Sequence, residues 1–277
     1  MLKYCAILFL FTVFSLTESN DRSVDITPLG GQLDGALSLS VTPNGDMYIS
    51  ESNKHRFIVY NSVGIRVDSV GSQGRGDYRF DRPVSIHATN GLRIYVADRN
   101  NSRVQLFDRR HQYLTSISSG NIDRHSRLKP ALLTVSSSNE LFVFDPDRFV
   151  VFKFDPNGNY SREFSLRQFS VRNLNQLKIS GSTLLLLDSQ NGVIHRFSSD
   201  GEYLNFISGF EGVKAIHATV NEIWALFENR IDQFTNRGAV IKSYPFTEPL
   251  AGITDLHIAG NRAYILTENQ LYRAVVE

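Results

Sequence analysis

Residues 94–97 read Ile-Tyr-Val-Ala, and a short apolar stretch of this kind recurs along the chain. The other copies are Met47-Tyr-Ile-Ser50, Leu141-Phe-Val-Phe144, Leu184-Leu-Leu-Leu187, Ile223-Trp-Ala-Leu226 and Ala263-Tyr-Ile-Leu266. Their second positions, called the reference residues below, are Tyr48, Tyr95, Phe142, Leu185, Trp224 and Tyr264, at separations of 47, 47, 43, 39 and 40. Periods of about 20 to 50 residues are typical of solenoids and propellers. The sequence therefore contains six similar units.

Each unit contains further strands separated by turn sequences. An aromatic residue lies twelve positions after each of the first four reference residues. Glycine-containing turns such as Asn61-Ser-Val-Gly64 and Asp155-Pro-Asn-Gly158 come next. Glycine and asparagine favour such turns because they tolerate positive φ. Short strands at regular spacing indicate an all-β fold, and four strands per unit indicate propeller blades. We predict an all-β, six-bladed β-propeller of four-stranded antiparallel blades.

The two ends of the chain predict how the ring closes. The last unit ends with the third strand of its blade, 271–276, and an isolated strand-like segment, 23–27, precedes the first unit. An open blade would leave unpaired backbone groups along its edge. We therefore expect the N-terminal strand to join the C-terminal blade and close the ring.

The first nineteen residues predict a secretory signal peptide. Lys3 precedes an apolar run from Tyr4 to Leu16, and small residues follow. This run is too short to cross a bilayer as a helix. A buried first strand or helix is the alternative. Cleavage after Ser19 would leave residues 20–277 as a single propeller domain without the only cysteine, Cys5. We expect an exported protein, in a bacterial periplasm or secreted.

The overall charge of the chain is nearly balanced. The 277 residues contain 29 basic and 28 acidic side chains, with a net charge of +1. No global electrostatic attraction to nucleic acid or to a membrane surface follows from that balance. We expect a monomer that has no cofactor, binds no nucleic acid and has no membrane span.

Residues 70–108 resemble a known repeat. A glycine-rich connector leads to Phe80 and Pro83, and the segment 94–108 reads IYVADRNNSRVQLFD. This pattern closely resembles the NHL repeat, which implies a propeller. The other units keep parts of it, namely Glu51 and Arg56 in the first, Asp145 in the third, and Asp188 and Asn191 in the fourth. Asp98, Asn101 and Arg103 fall on one turn, where such side chains bond to neighbouring backbone groups. We predict that these three stabilise the blade turn.

The resemblance also brings enzymes into consideration. Peptide α-amidating lyases of similar architecture hold zinc through histidines, but the matching positions here are Val84, Lys214 and Thr254. Calcium-dependent lactonases use a Glu-Gly-Pro opening, which Asp34-Gly35-Ala36 and Glu211-Gly212-Val213 resemble only faintly. Calcium needs about six to eight converging oxygen ligands. We assign no catalytic residues and no metal ligands.

One register along the predicted inner strands is polar in every unit. Counting back seven or eight residues from the reference residues gives Ser40, His87, Thr134, Lys178, His217 and His257. Because inner strands line the central channel, these six, the predicted channel residues, are our candidate binding site. The functional hypothesis is an anion or metal site, since imidazole ligates metals and imidazolium attracts anions. The alternative is that each histidine makes a local hydrogen bond between blades and water fills the channel.

Residues 70–130 carry a local excess of positive charge. This segment contains eleven Lys and Arg residues but only five acidic residues. The candidate basic patch comprises Arg82, Arg99, Arg103, Arg109 and Arg110. Such a patch attracts an anionic partner, whereas the alternative is an ordinary solvated surface. RNA binding would require a cytosolic protein and stacking aromatic residues.

Taken together, these patterns favour a non-enzymatic, exported propeller that acts as a binding or scaffold module for a protein or a small ligand. A rigid ring with loops and a central depression suits recognition. The alternative is a metal-dependent hydrolase of the lactonase or lyase type. Metal analysis of the purified protein separates the two.

Overall fold

The computed structural model describes residues 23–88, 90–122 and 128–277, which are almost entirely β structure. Six four-stranded antiparallel sheets follow one another, so the prediction of a six-bladed all-β propeller is confirmed. None of the helices within these ranges has the length and apolar character that crossing a bilayer requires. The predicted signal peptide, residues 1–19, lies outside the described residues.

Blades 1 and 2 lie in the first half of the chain. The earliest strand, β1 (Thr27–Leu29), belongs to the last blade. Blade 1 contains β2 (Ala36–Val41), β3 (Met47–Glu51), β4 (Arg56–Tyr60) and β5 (Arg66–Val70). A short parallel ribbon follows, made of β6 (Ser72–Gln73) and β7 (Arg79–Phe80). Blade 2 contains β8 (Pro83–His87), β9 (Arg93–Asp98), β10 (Arg103–Asp108) and β11 (Tyr113–Ser118), and a 3-10 turn at Ser119–Asn121 comes after it.

The remaining blades repeat this arrangement. Blade 3 contains β12 (Leu132–Val135), β13 (Leu141–Asp145), β14 (Val150–Phe154) and β15 (Tyr160–Ser165), followed by a 3-10 turn at Arg167–Phe169. Blade 4 contains β16 (Leu174–Ser180), β17 (Thr183–Asp188), β18 (Val193–Ser198) and β19 (Tyr203–Ser208). Blade 5 contains β20 (Ala215–Ala218), β21 (Glu222–Leu226), β22 (Arg230–Thr235) and β23 (Val240–Pro245). Blade 6 contains β24 (Ile253–Ala259), β25 (Arg262–Thr267) and β26 (Leu271–Val275), with β1 outermost.

The core consists of six apolar clusters, one between each pair of neighbouring blades. All six reference residues are buried within these clusters. One of the clusters joins Tyr264 and Leu266 of blade 6 to Leu39 and Ile49 of blade 1. Burial of apolar area between blades is the main stabilising term in such a core. Because blades 6 and 1 share a cluster, the inner strands surround a central channel.

The outermost strand of blade 6 differs in position from the predicted one. Thr27 lies opposite Arg273 and Leu29 opposite Leu271, in an antiparallel pair. The predicted segment, 23–27, overlaps this strand only at Thr27. Val24 instead forms a parallel bridge with Phe246, at the edge of blade 5, and its N–H donates to a backbone carbonyl there. The segment therefore passes blade 5 before it pairs with β26.

The connector between blades 1 and 2 shows why its sequence is rich in glycine. Phe80 is fully buried between the rings of Phe57 and Phe107, at centroid distances of 6.2 and 6.1 Å. Gly71 has a φ of 113°, and a Cβ there would lie 2.5 Å from the Phe80 ring. Glycine alone combines this backbone conformation with so close an approach.

Candidate functional site

The six predicted channel residues occupy one register of the six inner strands. Each lies directly opposite a reference residue on the neighbouring strand, as in the pairs Ser40 with Tyr48 and His217 with Trp224. The same pairing holds for the other four. All six line one cavity of about 470 Å³ between the inner strands. The structure therefore brings them together in the central channel.

A second layer of the channel lies two residues earlier on each inner strand. Its polar members are Ser38, Ser85, Gln176 and Asp255, and all four line the same cavity. Sequence analysis missed this layer because it followed a single register. The signal was nevertheless present, since alternate residues of a strand share a face. Asp255 is the consequential omission, because it is the acidic group that lines the cavity.

Asp255 and Lys178 form an ion pair across the channel. The Lys178 Nζ lies 2.7 Å from the Asp255 Oδ1, and the Asp255 side chain is 3% exposed. The other oxygen of Asp255 accepts the Leu39 N–H at 2.9 Å. One carboxylate thus connects blades 4, 6 and 1. The Gln176 side chain adds a parallel link, since its Nε2 donates to the Thr254 carbonyl at 3.0 Å.

The three channel histidines make no hydrogen bond to any described protein group. Serine hydroxyls form the bonds between blades instead. The Ser40 Oγ accepts the Ala88 N–H at 2.8 Å, and the Ser85 Oγ accepts the Leu133 N–H at 3.2 Å. The expectation that each histidine satisfies such a bond is therefore wrong. The rings of His217 and His257 lie 4.6 Å apart, inclined at 58°. Their polar nitrogens remain available to a ligand or to water.

All three imidazoles are neutral at neutral pH. Burial lowers the pKa of His87 and of His217 to about 3, and the nearby Lys178 cation adds to the effect. Burial also holds the pKa of His257 well below its usual value, with further contributions from His217, Lys178 and His87. These lowered pKa values argue against attraction of an anion by imidazolium at pH 7. The metal hypothesis also finds no support, since no three His, Cys, Asp or Glu side chains of the described residues are grouped as metal ligands.

Comparisons with known proteins place the repeat in a family. The family model described as NHL repeat matches residues 80–107. Human NHL repeat-containing protein 3 is 31% identical over 91 residues, which is 32% of this chain and 26% of that protein. The chain thus spans about a quarter of the length of this curated relative. The family-model match falls mainly on blade 2 of the six-bladed ring. This chain is a six-bladed β-propeller that contains an NHL repeat.

Solved structures resemble the propeller over nearly its whole length. A gluconolactonase from Xanthomonas campestris superposes with a TM-score of 0.68 at 13% identity, covering 92% of this chain and 90% of that one. Virginiamycin B lyase from Staphylococcus aureus gives a TM-score of 0.64 at 11% identity, covering 92% and 99%. Identity this low shows a shared fold only, because one fold hosts many functions.

The NHL signature of blade 2 stabilises the turn between strands, as predicted. The buried carboxylate of Asp98 accepts the Asp81 N–H at 2.7 Å, the Asn101 Nδ2 at 2.8 Å and the Arg103 Nε at 2.9 Å. Arg103 also donates to the Gly76 carbonyl at 2.8 Å. Equivalent acids in three other blades accept backbone N–H groups in the same way: Glu51, Asp145 and Asp188.

The five arginines of the candidate basic patch do not form one surface of the propeller. Arg103 is engaged in the blade turn, and its side chain is 12% exposed. Arg82 and Arg99 lie at the same end of blade 2 as that turn. Arg109 and Arg110 follow β10 and are exposed at the opposite end. The excess of positive charge is therefore divided between the two faces of the ring.

The channel histidines predict that the propeller is sensitive to acid. In the unfolded chain they bind protons near pH 6.5, whereas His87 and His217 in the folded protein do so only near pH 3. Between these values the unfolded state binds more protons, so stability falls as the pH falls. Lowering the pH from about 7 to about 5 should cost at least about 2 kcal/mol of unfolding free energy, the effect of a single such histidine.

Urea unfolding at the two pH values measures this change. The triple variant His87→Asn, His217→Asn and His257→Asn should show a much smaller pH dependence. His55→Asn, in the turn between β3 and β4 and outside the channel, is the control and should behave as the wild type. An identical pH dependence in the triple variant and the wild type would contradict the assignment.

Proposed function

We propose that this propeller is a binding module that holds a small, neutral, hydroxyl-rich molecule in its central channel. One observation carries the proposal. Three imidazoles without a hydrogen-bond partner among the described groups face one cavity of about 470 Å³. Cavities of about 300 to 1,000 Å³ are typical of small-molecule sites. Polar groups left unpaired at such a place are well suited to bind a ligand.

The chemistry of the lining supports a neutral ligand. A neutral imidazole offers one N–H donor and one acceptor nitrogen, which is what a hydroxyl group complements. Lys178 and Asp255 neutralise each other at 2.7 Å, so the channel has no uncompensated charge from this pair. Hydroxyls of Ser40 and Thr134 complete the lining. A charged ligand would have to break the ion pair, whereas a polyol or a sugar would not.

Saturation-transfer NMR with free monosaccharides and sugar alcohols tests the proposal. Trp224 is the only tryptophan and lies opposite His217, so its fluorescence provides an independent signal. Members of the panel should bind the wild type and the control His55→Asn. Affinity should fall about tenfold or more in the double variant His217→Ala and His257→Ala, since two hydrogen-bonding groups are lost.

Two results would overturn the proposal. One is binding to the double variant with the wild-type affinity, which would place the site elsewhere. The other is no transfer to any member of the panel at concentrations of about 10 mM, because such weak binding does not serve recognition. Thermal unfolding of each variant establishes that it is folded.

A metal-dependent hydrolase is the second candidate function. Only the shared fold of the lactonase and lyase structures favours it. Asp34, the residue that resembles a lactonase motif, forms an exposed pair with Lys54 at 2.9 Å. Elemental analysis of the purified protein distinguishes the two functions, since this candidate requires about one bound metal ion per chain.

Export is part of the same proposal. The apolar run from Tyr4 to Leu16, preceded by Lys3, supports a cleaved signal peptide. The mature chain would then begin at Asn20. N-terminal sequencing of the protein recovered from the exported fraction would show this, whereas a product that retains Met1 would contradict it.

A further inference from the structure

A second cavity lies between blades 4 and 5, on the side of the ring where β16 ends. Its volume is about 240 Å³, and six of its ten lining residues are polar or charged. The polar lining residues are Ser180, Ser182, Thr183, Arg196, Thr219 and Asn236. Gly181 also borders the channel cavity, so the two cavities are neighbours.

Arg196 is the only charged group that lines this cavity among the described residues. It lies on β18, opposite the reference residue Leu185. Its Nη1 donates to the Asn236 carbonyl at 3.4 Å, which is a long bond, and its Nε is buried without a partner. No carboxylate of the described residues lies within ion-pair distance. Arg196 is partly exposed, so its guanidinium reaches the cavity while the buried Nε has neither a hydrogen-bond acceptor nor a counter-charge.

The equivalent cation of the preceding blade, blade 3, has acidic partners. Lys153 of blade 3 occupies the equivalent position, opposite the reference residue Phe142. Its Nζ lies 2.9 Å from a carboxylate oxygen of Glu140 and 3.2 Å from one of Asp200. Two carboxylates therefore neutralise the cation between blades 3 and 4.

Both carboxylates are absent one blade further on. Glu140 directly precedes β13, and the matching position in blade 4 is Thr183. Asp200 precedes the glycine of the β18–β19 turn, and the matching residue before Gly238 is Arg237. Blade 4 thus has a cation at the same position as blade 3, but neither of the two acidic partners is present.

We propose that this cavity is a binding site for an oxyanion, held by Arg196. A phosphate, sulfate or carboxylate group takes the place that Glu140 and Asp200 occupy beside Lys153. The planar guanidinium binds such groups through two parallel hydrogen bonds. Hydroxyls of Ser182 and Thr183 add neutral donors. The site is separate from the central channel, and its ligand class is different.

Titration of the full chain with inorganic phosphate, inorganic sulfate and glucuronate, at low ionic strength, tests the site. The Nε–H signal of Arg196 in NMR spectra should shift on binding, and calorimetry gives the affinity. Arg196→Gln should weaken binding about tenfold or more, because charge-assisted hydrogen bonds are lost. Arg172→Gln removes the same charge from the opposite end of blade 4 and should leave the affinity unchanged. The three anions show whether the site selects a tetrahedral group or a carboxylate.

A second variant leaves Arg196 in place. The double variant Thr183→Glu and Arg237→Asp rebuilds the acidic partners of blade 3 and should abolish anion binding by neutralising the guanidinium. Unchanged anion affinity in this variant or in Arg196→Gln would overturn the proposal, as would the absence of binding in the wild type. The channel variant His217→Ala and His257→Ala should retain anion binding, so failure of the channel proposal leaves this result intact.

Discussion

Replacing Asp255 with alanine is expected to lower the free energy of unfolding by about 3–5 kcal/mol, the loss typical of a buried ion pair deprived of one partner. The carboxylate is 3% exposed and is bonded to Lys178 at 2.7 Å. It also accepts N–H groups of Leu39 and Leu256, each at 2.9 Å. Its removal leaves a cation and two donors without their acceptor, in a place that links three blades. Urea unfolding followed by Trp224 fluorescence measures the loss.

Two comparisons separate the ion pair from other effects. Asp34→Ala, which removes an exposed carboxylate paired with Lys54, should not change the unfolding midpoint. Adding Lys178→Met to Asp255→Ala should recover part of the lost stability, because removing both partners costs less than removing one. A loss below about 1 kcal/mol for Asp255→Ala would show that the pair behaves as a surface salt bridge.

Replacing Asp98 with alanine is expected to cost about 3 kcal/mol, because a fully buried acceptor of several hydrogen bonds disappears. Arg103, Asn101 and the Asp81 N–H all donate to this carboxylate. Burial raises the pKa of Asp98, and these donors act against that effect. The loss should therefore come from the donors left unpaired. Chemical denaturation provides the measurement.

The control for this variant lies in the connector between blades 1 and 2, to which Asp98 is hydrogen-bonded through the Asp81 N–H. Asp77→Ala removes an exposed acid between blades 1 and 2 and should leave stability unchanged. Proteolysis within residues 72–82 should become faster in Asp98→Ala than in the control, since Asp98 ties the connector to its blade. Equal stability of the two variants would show that the NHL signature does not stabilise this turn.

Much of the fold could be predicted from the sequence because its signals are local and repeated. Each reference residue is a large apolar side chain at a fixed place in its unit, and burial between blades requires that choice six times. Turn glycines with positive φ, such as Gly158 and Gly201, mark the hairpins for the same local reason. The placement of β1 was less accurate. Its position depends on contacts with Phe246 and β26, more than 200 residues away.

The candidate site was predictable only in part. The register of the channel residues follows from strand geometry, and all six line the channel. Which of them are hydrogen-bonded does not follow, because partners come from other blades. Asp255 reaches Lys178 across the channel, and serines make the bonds expected of the histidines. The absence of acids around Arg196 becomes visible only when blades 3 and 4 are compared in register.

The central claim is that His87, His217 and His257 face the channel as neutral groups without protein partners. Imidazole ¹⁵N spectra, assigned with single His→Asn variants and recorded from about pH 8 to about pH 4, test it most directly. His87 and His217 should remain neutral throughout this range, and His257 should bind its proton well below pH 6.5. Protonation of the three near pH 6.5, as for freely solvated histidines, would contradict the account.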